Sequence, residues 1–273
     1  MTTAVVAPFR FFSLHVVRAR RVGASLVRIT FAGPDLEHFF SDGYDQSLSL
    51  FLPQPGQSEP QVPFELGDGW WQAWRELPDD VRAVMRSYTL LALRRDVLGR
   101  TTEIDIDFVL HTPAGPASAW ASGAGAGDRV VLLGPALADN RAIRFRPPGD
   151  TDLIVLWGDE SALPAVASIL ESLPAGQRVR AWLEAHDAGN VRELATAADA
   201  EITWVVGESS VDALREARLP AAGHPYVWIA GESGCVKALR RHFVRERGID
   251  RRRITFVGYW RQGMNEEQLR AAE

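Results

Sequence analysis

The stretch RPPGDTDLIVLWGDES, residues 146–161, marks the point where the chain changes from one kind of architecture to another. Two prolines and a glycine at 147–149 disfavour regular structure and predict a linker. Residues 153–157 form a continuous apolar run, as expected of a strand that helices cover on both faces of a sheet. Gly158 permits close backbone approach at the carboxyl end of that strand. We therefore predict a domain boundary here, with a parallel sheet beginning just after it.

Downstream of the linker, apolar strands alternate with helical segments. This alternation predicts a doubly wound parallel α/β sheet, whose ligands bind outside the carboxyl ends of the strands. We expect strands at 152–157, 179–184, 202–206, 226–230 and 254–257, and helices at 161–173, 211–217 and 233–247.

Upstream of the linker, short β-rich segments are separated mostly by Gly, Pro, Asp and Asn. Residues 103–110, EIDIDFVL, alternate acidic and apolar side chains, which predicts a strand with one buried and one exposed face. The tryptophan-rich tract at 53–80 predicts an insertion with room for a short helix, and a second helical signal lies near 116–121. Six short strands predict a small antiparallel β-barrel. They are expected at 9–17, 25–31, 47–52, 87–93, 103–110 and 129–133.

The expected domains are a barrel at 1–147, an α/β domain at 148–258 and a C-terminal tail at 259–273. The composition is that of a globular protein, with 46% hydrophobic and 24% charged residues. The net charge of -5 gives no reason to expect nucleic-acid binding, and no apolar run reaches the roughly 20 residues of a membrane helix. The start of the chain resembles no signal peptide, so we expect a cytoplasmic protein without membrane insertion. We also expect a monomer.

Cysteine and histidine usage argues against metal chemistry by the protein itself. Cys235 is the only cysteine, so the chain can form neither an internal disulfide nor a cluster held by four thiolates. The six histidines include no pair at zinc-motif spacing. We expect no metal site.

The segment RSYT, residues 86–89, begins a predicted strand and combines three useful side chains. The planar donors of Arg86 match phosphate oxygens. The ring of Tyr88 can stack on a flat heterocycle, and the hydroxyl of Thr89 can bond a ring nitrogen. Taken alone, these residues also fit an ordinary strand with a surface arginine.

A second motif follows the strand that ends in DFVLH, residues 107–111. In GPASAWA, residues 115–121, Pro116 suits the first turn of a helix. Free backbone N–H groups at such a helix start can bind a pyrophosphate, with Ser118 assisting. The alternative is a strand–turn–helix corner with a packing tryptophan. The glycine-rich stretch 123–127 lies between a helix and a strand, the reverse of the dinucleotide fingerprint, so we interpret it as a turn.

Together these motifs resemble those of the siderophore-interacting protein family, the NAD(P)H-dependent ferric-siderophore reductases that bind FAD. The resemblance runs along nearly the whole chain. The matching segments, in order, are RSYT (86–89), DFVLH (107–111), GPASAWA (115–121), GDRVVLLGP (127–135), GDESALPA (158–165) and YWRQG (259–263).

The resemblance implies a flavin site in the first domain and a reduced-nicotinamide site in the second. Thr89 and Trp260 are expected at the reacting centre, with Trp260 covering the flavin or packing at a domain interface. Arg261 is expected to contact the acceptor. The expected cofactor-binding residues are Arg86, Ser87, Tyr88, Thr89, Asp107, Phe108, Val109, His111, Pro116, Ala117, Ser118, Trp120, Gly158, Asp159, Glu160, Ser161, Gly231, Glu232 and Trp260.

Three details refine these expectations. The acidic segment at 183–187 favours NADH over NADPH, although Arg192 and the arginines at 240–241 weaken this inference. Ser49 and Ala136 stand where family members often have basic residues, and removing those charges weakens the attraction of an anionic acceptor. We therefore expect a neutral hydroxamate siderophore or another acceptor. Two alternatives stay open: a flavin reductase that serves a partner protein such as an oxygenase, and a siderophore-binding protein without enzymatic activity.

Overall fold

The computed structural model describes residues 7–264, which form two compact units that divide between Ala142 and Ile143. The division falls slightly before the predicted linker because the residues preceding the linker pack on the second unit. The Phe145 ring lies 5.6 Å from that of Tyr226, and the Arg146 N–H donates to the Tyr226 hydroxyl at 3.1 Å. Within the described residues, no helix is long and apolar enough to cross a membrane.

The first unit is a seven-stranded antiparallel sheet in the order β4-β3-β7-β1-β2-β6-β5. Two short α-helices accompany it. The strands are β1 (Phe9–Arg21), β2 (Leu26–Ala32), β3 (Ser47–Leu52), β4 (Val84–Thr89), β5 (Ala92–Arg95), β6 (Thr101–Val109) and β7 (Arg129–Pro135), and the helices are α1 (Trp70–Glu76) and α2 (Pro116–Gly123).

The predicted strand at 87–93 is two strands, and the break between them links the two ends of the sheet. The Leu90 N–H donates to the Gln46 carbonyl beside β3, whereas the Leu91 N–H donates to the Asp105 carbonyl in β6, each at 3.0 Å. The backbone thus passes from one end of the strand order to the other within two residues. This crossing curls the sheet into the predicted barrel.

The interior of this unit is filled by alternate apolar residues of the strands. The tryptophan-rich insertion does carry a short helix, α1, which covers a second cluster around Phe51. The rings of Trp70 and Trp74 meet the Phe51 ring edge-on at 5.9 and 6.0 Å.

The expectation that the acidic face of EIDIDFVL is exposed was wrong. Asp105 and Asp107 in β6 are 5% and 4% exposed, because arginine side chains from the neighbouring strands cover them. The register places Arg28 of β2 opposite Asp107 and Arg94 of β5 opposite Glu103. Cross-strand neighbours on one face are close enough for ion pairing, so the alternating acids form a paired ladder.

The second unit is a five-stranded parallel sheet in the order β10-β9-β8-β11-β12, which confirms the predicted α/β class. All six residues of β8 are buried, as expected for a strand covered on both faces. The strands are β8 (Leu153–Gly158), β9 (Arg178–Ala185), β10 (Asp199–Val206), β11 (Pro225–Glu232) and β12 (Ile254–Trp260), and the helices are α3 (Leu163–Ser172), α4 (Ser210–Glu216) and α5 (Ser233–Arg241).

Two local predictions in this unit need correction. The helix expected from residue 161 begins only after Ala162, as α3, and the Ser161 hydroxyl donates to Asp159. The predicted helix at 233–247 is α-helical only to Arg241 and continues as a π-helical turn, His242–Glu246.

Candidate functional site

The structure brings the three predicted flavin motifs together in the first unit. The Tyr88 ring of the RSYT strand lies 4.3 Å from the Phe108 ring in DFVLH, and the Phe108 ring lies 5.9 Å from that of Trp120 in α2. The three segments are distant in sequence but meet through this row of aromatic rings. Their convergence agrees with a shared role in binding one large ligand.

The exposure of the RSYT residues suits a binding strand. Ser87 is exposed and Arg86 and Tyr88 are partly exposed, whereas Thr89 is buried. The Arg86 Nη1 donates to the Met85 carbonyl at 2.7 Å. The contacts of these residues with a flavin remain predictions.

The start of α2 has the properties of an anion site. Gly115 precedes the helix without a side-chain cap, and Pro116 occupies the first turn. The buried Ser118 hydroxyl accepts a hydrogen bond of 2.9 Å from the His111 N–H, which ties the end of β6 to the helix start. Uncapped N–H groups of a first turn bind phosphate readily, so these residues fit the pyrophosphate of FAD. Ala117 is buried, whereas Val109 is partly exposed and His111 is exposed.

Asp107 has a partner that the motif does not reveal. Arg28 donates from Nε to Asp107 Oδ1 at 2.7 Å and from Nη2 to Oδ2 at 3.0 Å, and the Asp107 side chain is fully buried. The hydrogen bond to Asp107 also raises the pKa of Arg28, against the opposing effect of burial. Asp107 thus anchors the end of β6, and its contact with the flavin remains a prediction.

In the second unit, Asp159 links the carboxyl ends of three strands. Its Oδ2 accepts from the Glu232 N–H at the end of β11 and from the Trp260 Nε1 at the end of β12, each at 2.8 Å. Its Oδ1 accepts from the Ser161 N–H at 2.9 Å and from the Ser161 hydroxyl. Burial raises the pKa of Asp159 against the opposing effect of these hydrogen bonds.

Gly231 makes room for this carboxylate. A Cβ at Gly231 would lie 2.5 Å from Asp159 Oδ2, and its φ of +144° is rarely adopted by other residues. Gly158 is similarly confined, because a Cβ there would lie 2.9 Å from that of Ala162. The two predicted glycines are therefore required for close packing of the strand ends.

Other carboxylates at this edge of the sheet organise the loops. Glu160 accepts at Oε1 from the His186 N–H at 2.8 Å and the Asn190 amide at 2.6 Å, and so fixes the loop after β9. Glu232 accepts from the Gly234 and Cys235 N–H groups and thereby caps α5.

Cys235 stands next to this acidic edge. Burial, followed by the nearby charge of Glu232, raises the pKa of its thiol to about 11. The thiol is therefore protonated at neutral pH and is a weak nucleophile. Within residues 7–264, no group of three or more His, Cys, Asp or Glu is arranged to hold a metal ion.

The residues predicted at the acceptor and at the reacting centre occupy different parts of the fold. Trp260 ends β12 and is 39% exposed, and the exposed Arg261 follows it. In the first unit, the register pairs Ser49 with Ser87 of the RSYT strand. Ala136 lines a cavity of about 670 Å³ together with Ala7, Arg10, His38, Phe40, Leu137 and Ala138. None of these lining residues belongs to the flavin motifs.

Sequence reasoning missed several residues that organise the site. Arg28 could not be assigned, because its role depends on the pairing of β2 with β6. Ser233 lies next to the predicted Gly231 and Glu232, and its hydroxyl donates to the Trp260 carbonyl at 2.9 Å. Ser210 links the Trp157 indole at 2.8 Å to the carboxylate of Glu184. For Ser210 and Ser233, the signal available in the sequence was a serine hydroxyl beside a predicted loop.

A barrel with flavin motifs followed by a parallel nucleotide-type sheet defines the class of ferredoxin-reductase-like flavoproteins. The ferredoxin reductase of carbazole 1,9a-dioxygenase shares this fold, with a TM-score of 0.64 at 14% identity, covering 93% of this chain and 70% of its own. Residues 15–139 match the siderophore-interacting FAD-binding domain, and residues 151–263 match the siderophore-interacting protein domain. The chain belongs to the siderophore-interacting protein family.

Individual relatives match along nearly the whole chain. Ferric vibriobactin reductase ViuB of Vibrio cholerae is 30% identical over 93% of this chain and 90% of its own length. The NADPH-dependent ferric-chelate reductase of Escherichia coli is 33% identical over 92% of this chain and 93% of its own. The crystal structure of the siderophore-interacting protein SipS from Aeromonas hydrophila has a TM-score of 0.77 at 30% identity, covering 97% of this chain and 96% of that one.

Proposed function

We propose that this protein is a FAD-dependent reductase that transfers electrons from NAD(P)H through the flavin to a ferric siderophore and releases ferrous iron. The observation that carries the proposal is the convergence of three flavin motifs on the Tyr88–Phe108–Trp120 row of rings. Family membership over nearly the whole chain and the reductase names of the relatives support the same activity.

The first unit holds the FAD in this proposal. Tyr88 offers a ring for stacking and Thr89 a hydroxyl for a flavin nitrogen, while Arg86 and the first turn of α2 bind the phosphates. FAD held by these residues would supply the redox chemistry, namely hydride acceptance from the reduced nicotinamide and single-electron transfer to a ferric acceptor. Because that cofactor carries the chemistry, the side chains chiefly orient ligands and exclude water.

The second unit binds the nicotinamide nucleotide at the carboxyl edge of its sheet. Gly158, Gly231 and the loops fixed by Glu160 and Glu232 line this edge. Carboxylates at the end of β9, among them Glu184 and Asp187, suit a free ribose hydroxyl better than a 2′-phosphate. They support a preference for NADH, in contrast to the E. coli relative, which is named for NADPH.

The acceptor of this proposal is a neutral hydroxamate siderophore. Ser49 pairs with Ser87 beside the flavin motif, and neither Ser49 nor Ala136 carries the charge that would attract an anionic complex. Arg261 contributes an exposed cation after β12. We expect Thr89 and Trp260 to contact the reacting groups.

Reduction of a siderophore panel tests the proposal directly. The purified protein is expected to retain FAD, to oxidise NADH faster than NADPH, and to produce ferrous iron, trapped by a chromogenic chelator, from ferric hydroxamates faster than from ferric catecholates. A protein that binds ferric siderophore without FAD would overturn the enzymatic assignment. Flavin reduction without ferrous iron from any complex would favour a reductase for a partner protein.

A pair of variants tests the location of the flavin site. Arg86→Ala is expected to weaken FAD binding at least tenfold, because a phosphate loses its planar donors. Arg95→Ala removes an exposed arginine from β5, the next strand along the chain, and is the control, with an expected change of less than twofold. Equal FAD affinity in both variants would place the phosphates elsewhere.

A further inference from the structure

We propose that Asp159 is a positioning residue that fixes the indole of Trp260 at the nicotinamide-binding edge of the second unit. This inference rests on the proposed reductase function. It assigns to a buried carboxylate the orientation of an aromatic ring that is itself 39% exposed. Asp159 therefore acts on the reaction through Trp260.

The hydrogen bonds leave the Asp159 carboxylate in one orientation. Oδ2 accepts from the Trp260 Nε1 and the Glu232 N–H, both at 2.8 Å, while Oδ1 accepts two hydrogen bonds from Ser161. A carboxylate accepts all four without presenting a donor of its own. An asparagine here would direct its NH₂ group at two of these donors. The arrangement therefore specifies an acid.

Trp260 is held at a second point by its backbone. The Ser233 hydroxyl donates to the Trp260 carbonyl at 2.9 Å. Contacts at the carbonyl and at Nε1 together restrict both the backbone of Trp260 and the rotation of its side chain. An indole fixed in this way is presented to a ligand at little further cost in conformational entropy.

Two glycines provide the space for these two anchors. A Cβ at Gly231 would lie 2.5 Å from Asp159 Oδ2, and a Cβ at Gly258 would lie 2.5 Å from the Ser233 Oγ. Any larger residue at either position would displace the side chain that holds Trp260. Trp260 is thus held at the end of β12 by Asp159 and Ser233, for which Gly231 and Gly258 leave room.

The position of Trp260 in the sheet indicates what the fixed indole does. Ligands of parallel α/β sheets bind beyond the carboxyl ends of the strands, and Trp260 is the last residue of β12 at that edge. A fixed, partly exposed ring there can pack against a planar nicotinamide. Correct placement of the nicotinamide affects both its binding and the rate of hydride transfer.

A double-mutant cycle with Asp159→Asn and Trp260→Phe tests the inference on the FAD-loaded protein. Each single variant is expected to weaken NAD⁺ and NADP⁺ binding, measured by calorimetry, and to slow flavin reduction in stopped flow, each by about tenfold. The double variant is expected to match the single variants, because both changes remove the same contact. Asp199→Asn is the matched control, since it makes the same substitution at an exposed carboxylate at the start of β10, the opposite end of the sheet from the binding edge; its expected change is less than twofold.

The indole resonance provides a readout that does not depend on activity. The Trp260 Nε1–H signal, identified in ¹H–¹⁵N spectra by its loss in Trp260→Phe, is expected to move upfield in Asp159→Asn and to stay in place in Asp199→Asn. If Asp159→Asn does not fold, Trp260→Phe still tests the contact, because it leaves Asp159 three of its donors.

Two results would overturn the positioning role. One is additivity, in which Asp159→Asn weakens nucleotide binding by the same factor in the Trp260→Phe background as in the wild type. The other is an unmoved indole signal in Asp159→Asn. Failure of the proposed function is distinct, because the wild-type protein itself would then not oxidise NADH or NADPH.

Discussion

The two units contain acidic groups that are stabilised in opposite ways. In the first unit, Asp105 of β6 accepts two hydrogen bonds from Arg94, each of 2.8 Å, and Asp107 accepts two from Arg28. In the second unit, all four hydrogen bonds described for the Asp159 carboxylate come from neutral donors, the Glu232 N–H, the Trp260 indole and Ser161. Both kinds of carboxylate are buried, but only those of the first unit are paired with cations.

The difference separates the scaffold of the first unit from the edge of the second unit that is proposed to bind a ligand. Burial alone would raise the pKa of Asp105, but hydrogen bonds from Arg94 and Thr30 more than offset it and lower the pKa. Burial prevails at Asp159, and its pKa is raised. The ion pairs fix strand register in the barrel, whereas the neutral network holds loops and an exposed ring at the edge proposed to bind the nicotinamide nucleotide.

The largest expected effect comes from breaking the pairing in the first unit. Arg94→Met leaves the buried carboxylate of Asp105 without its bidentate partner, and loss of one member of such a pair costs about 3 kcal/mol in the free energy of unfolding. Urea unfolding, monitored by the release of FAD, measures this cost. Arg18→Met, which removes an exposed partner of Glu103, is the control and should cost less than about 1 kcal/mol. Equal costs would mean that the ladder is an ordinary surface feature.

The second prediction disrupts the neutral network instead. Gly231→Ala introduces a Cβ against Asp159 at an unfavourable φ, and we expect a loss of about 2 kcal/mol in unfolding free energy. Circular dichroism during urea unfolding measures the loss, and NAD⁺ affinity should fall with it. Gly149→Ala, where a Cβ would meet nothing within 4 Å, is expected to be close to neutral. A tolerated Gly231→Ala would show that Asp159 can move.

The smallest effect is a pH dependence of opposite sign in the two units. The pKa values of Glu103 and Asp105 are lowered in the folded protein from 4.5 and 3.8. Their stabilisation is therefore complete above pH 4.5 and is lost as the pH falls through the lowered values. Consequently, the stability difference between the wild type and Arg94→Met should shrink on acidification.

The contribution of Asp159 to stability changes with pH in the opposite direction. Its folded pKa lies above 3.8, so its contribution to stability is complete below that pH and is lost as the pH rises towards the raised value. Relative to Asp159→Asn, the wild type should lose stability as the pH increases from about 4. Unfolding of the three proteins between pH 3.5 and 7 measures both trends. If the stability of the wild type relative to each variant changed with pH in the same direction, the contrast between the two acidic groups would be contradicted.

The sequence by itself determined the two-part fold and the segments that carry the candidate site. Period-two alternation and turn residues predicted the barrel, and the apolar run at 153–157 predicted the parallel sheet, because both patterns follow from which faces must be buried. The RSYT and DFVLH motifs and the residues around Gly158 and Gly231 could be placed on strands and loops for the same reason. These features are local, and a local pattern is sufficient to predict them.

Only the tertiary structure decided which groups meet. Residues 103–110 showed alternating acids, but their burial under Arg28 and Arg94 depends on the pairing of β6 with β2 and β5. Likewise, Asp159 and Trp260 are separated by 101 positions and meet only because β8 and β12 end at the same edge of one sheet. Strand order and register arise from long-range packing, which residue periodicity does not encode. Composition identifies the acids, and three-dimensional pairing determines whether each one is balanced by a cation or held by neutral donors.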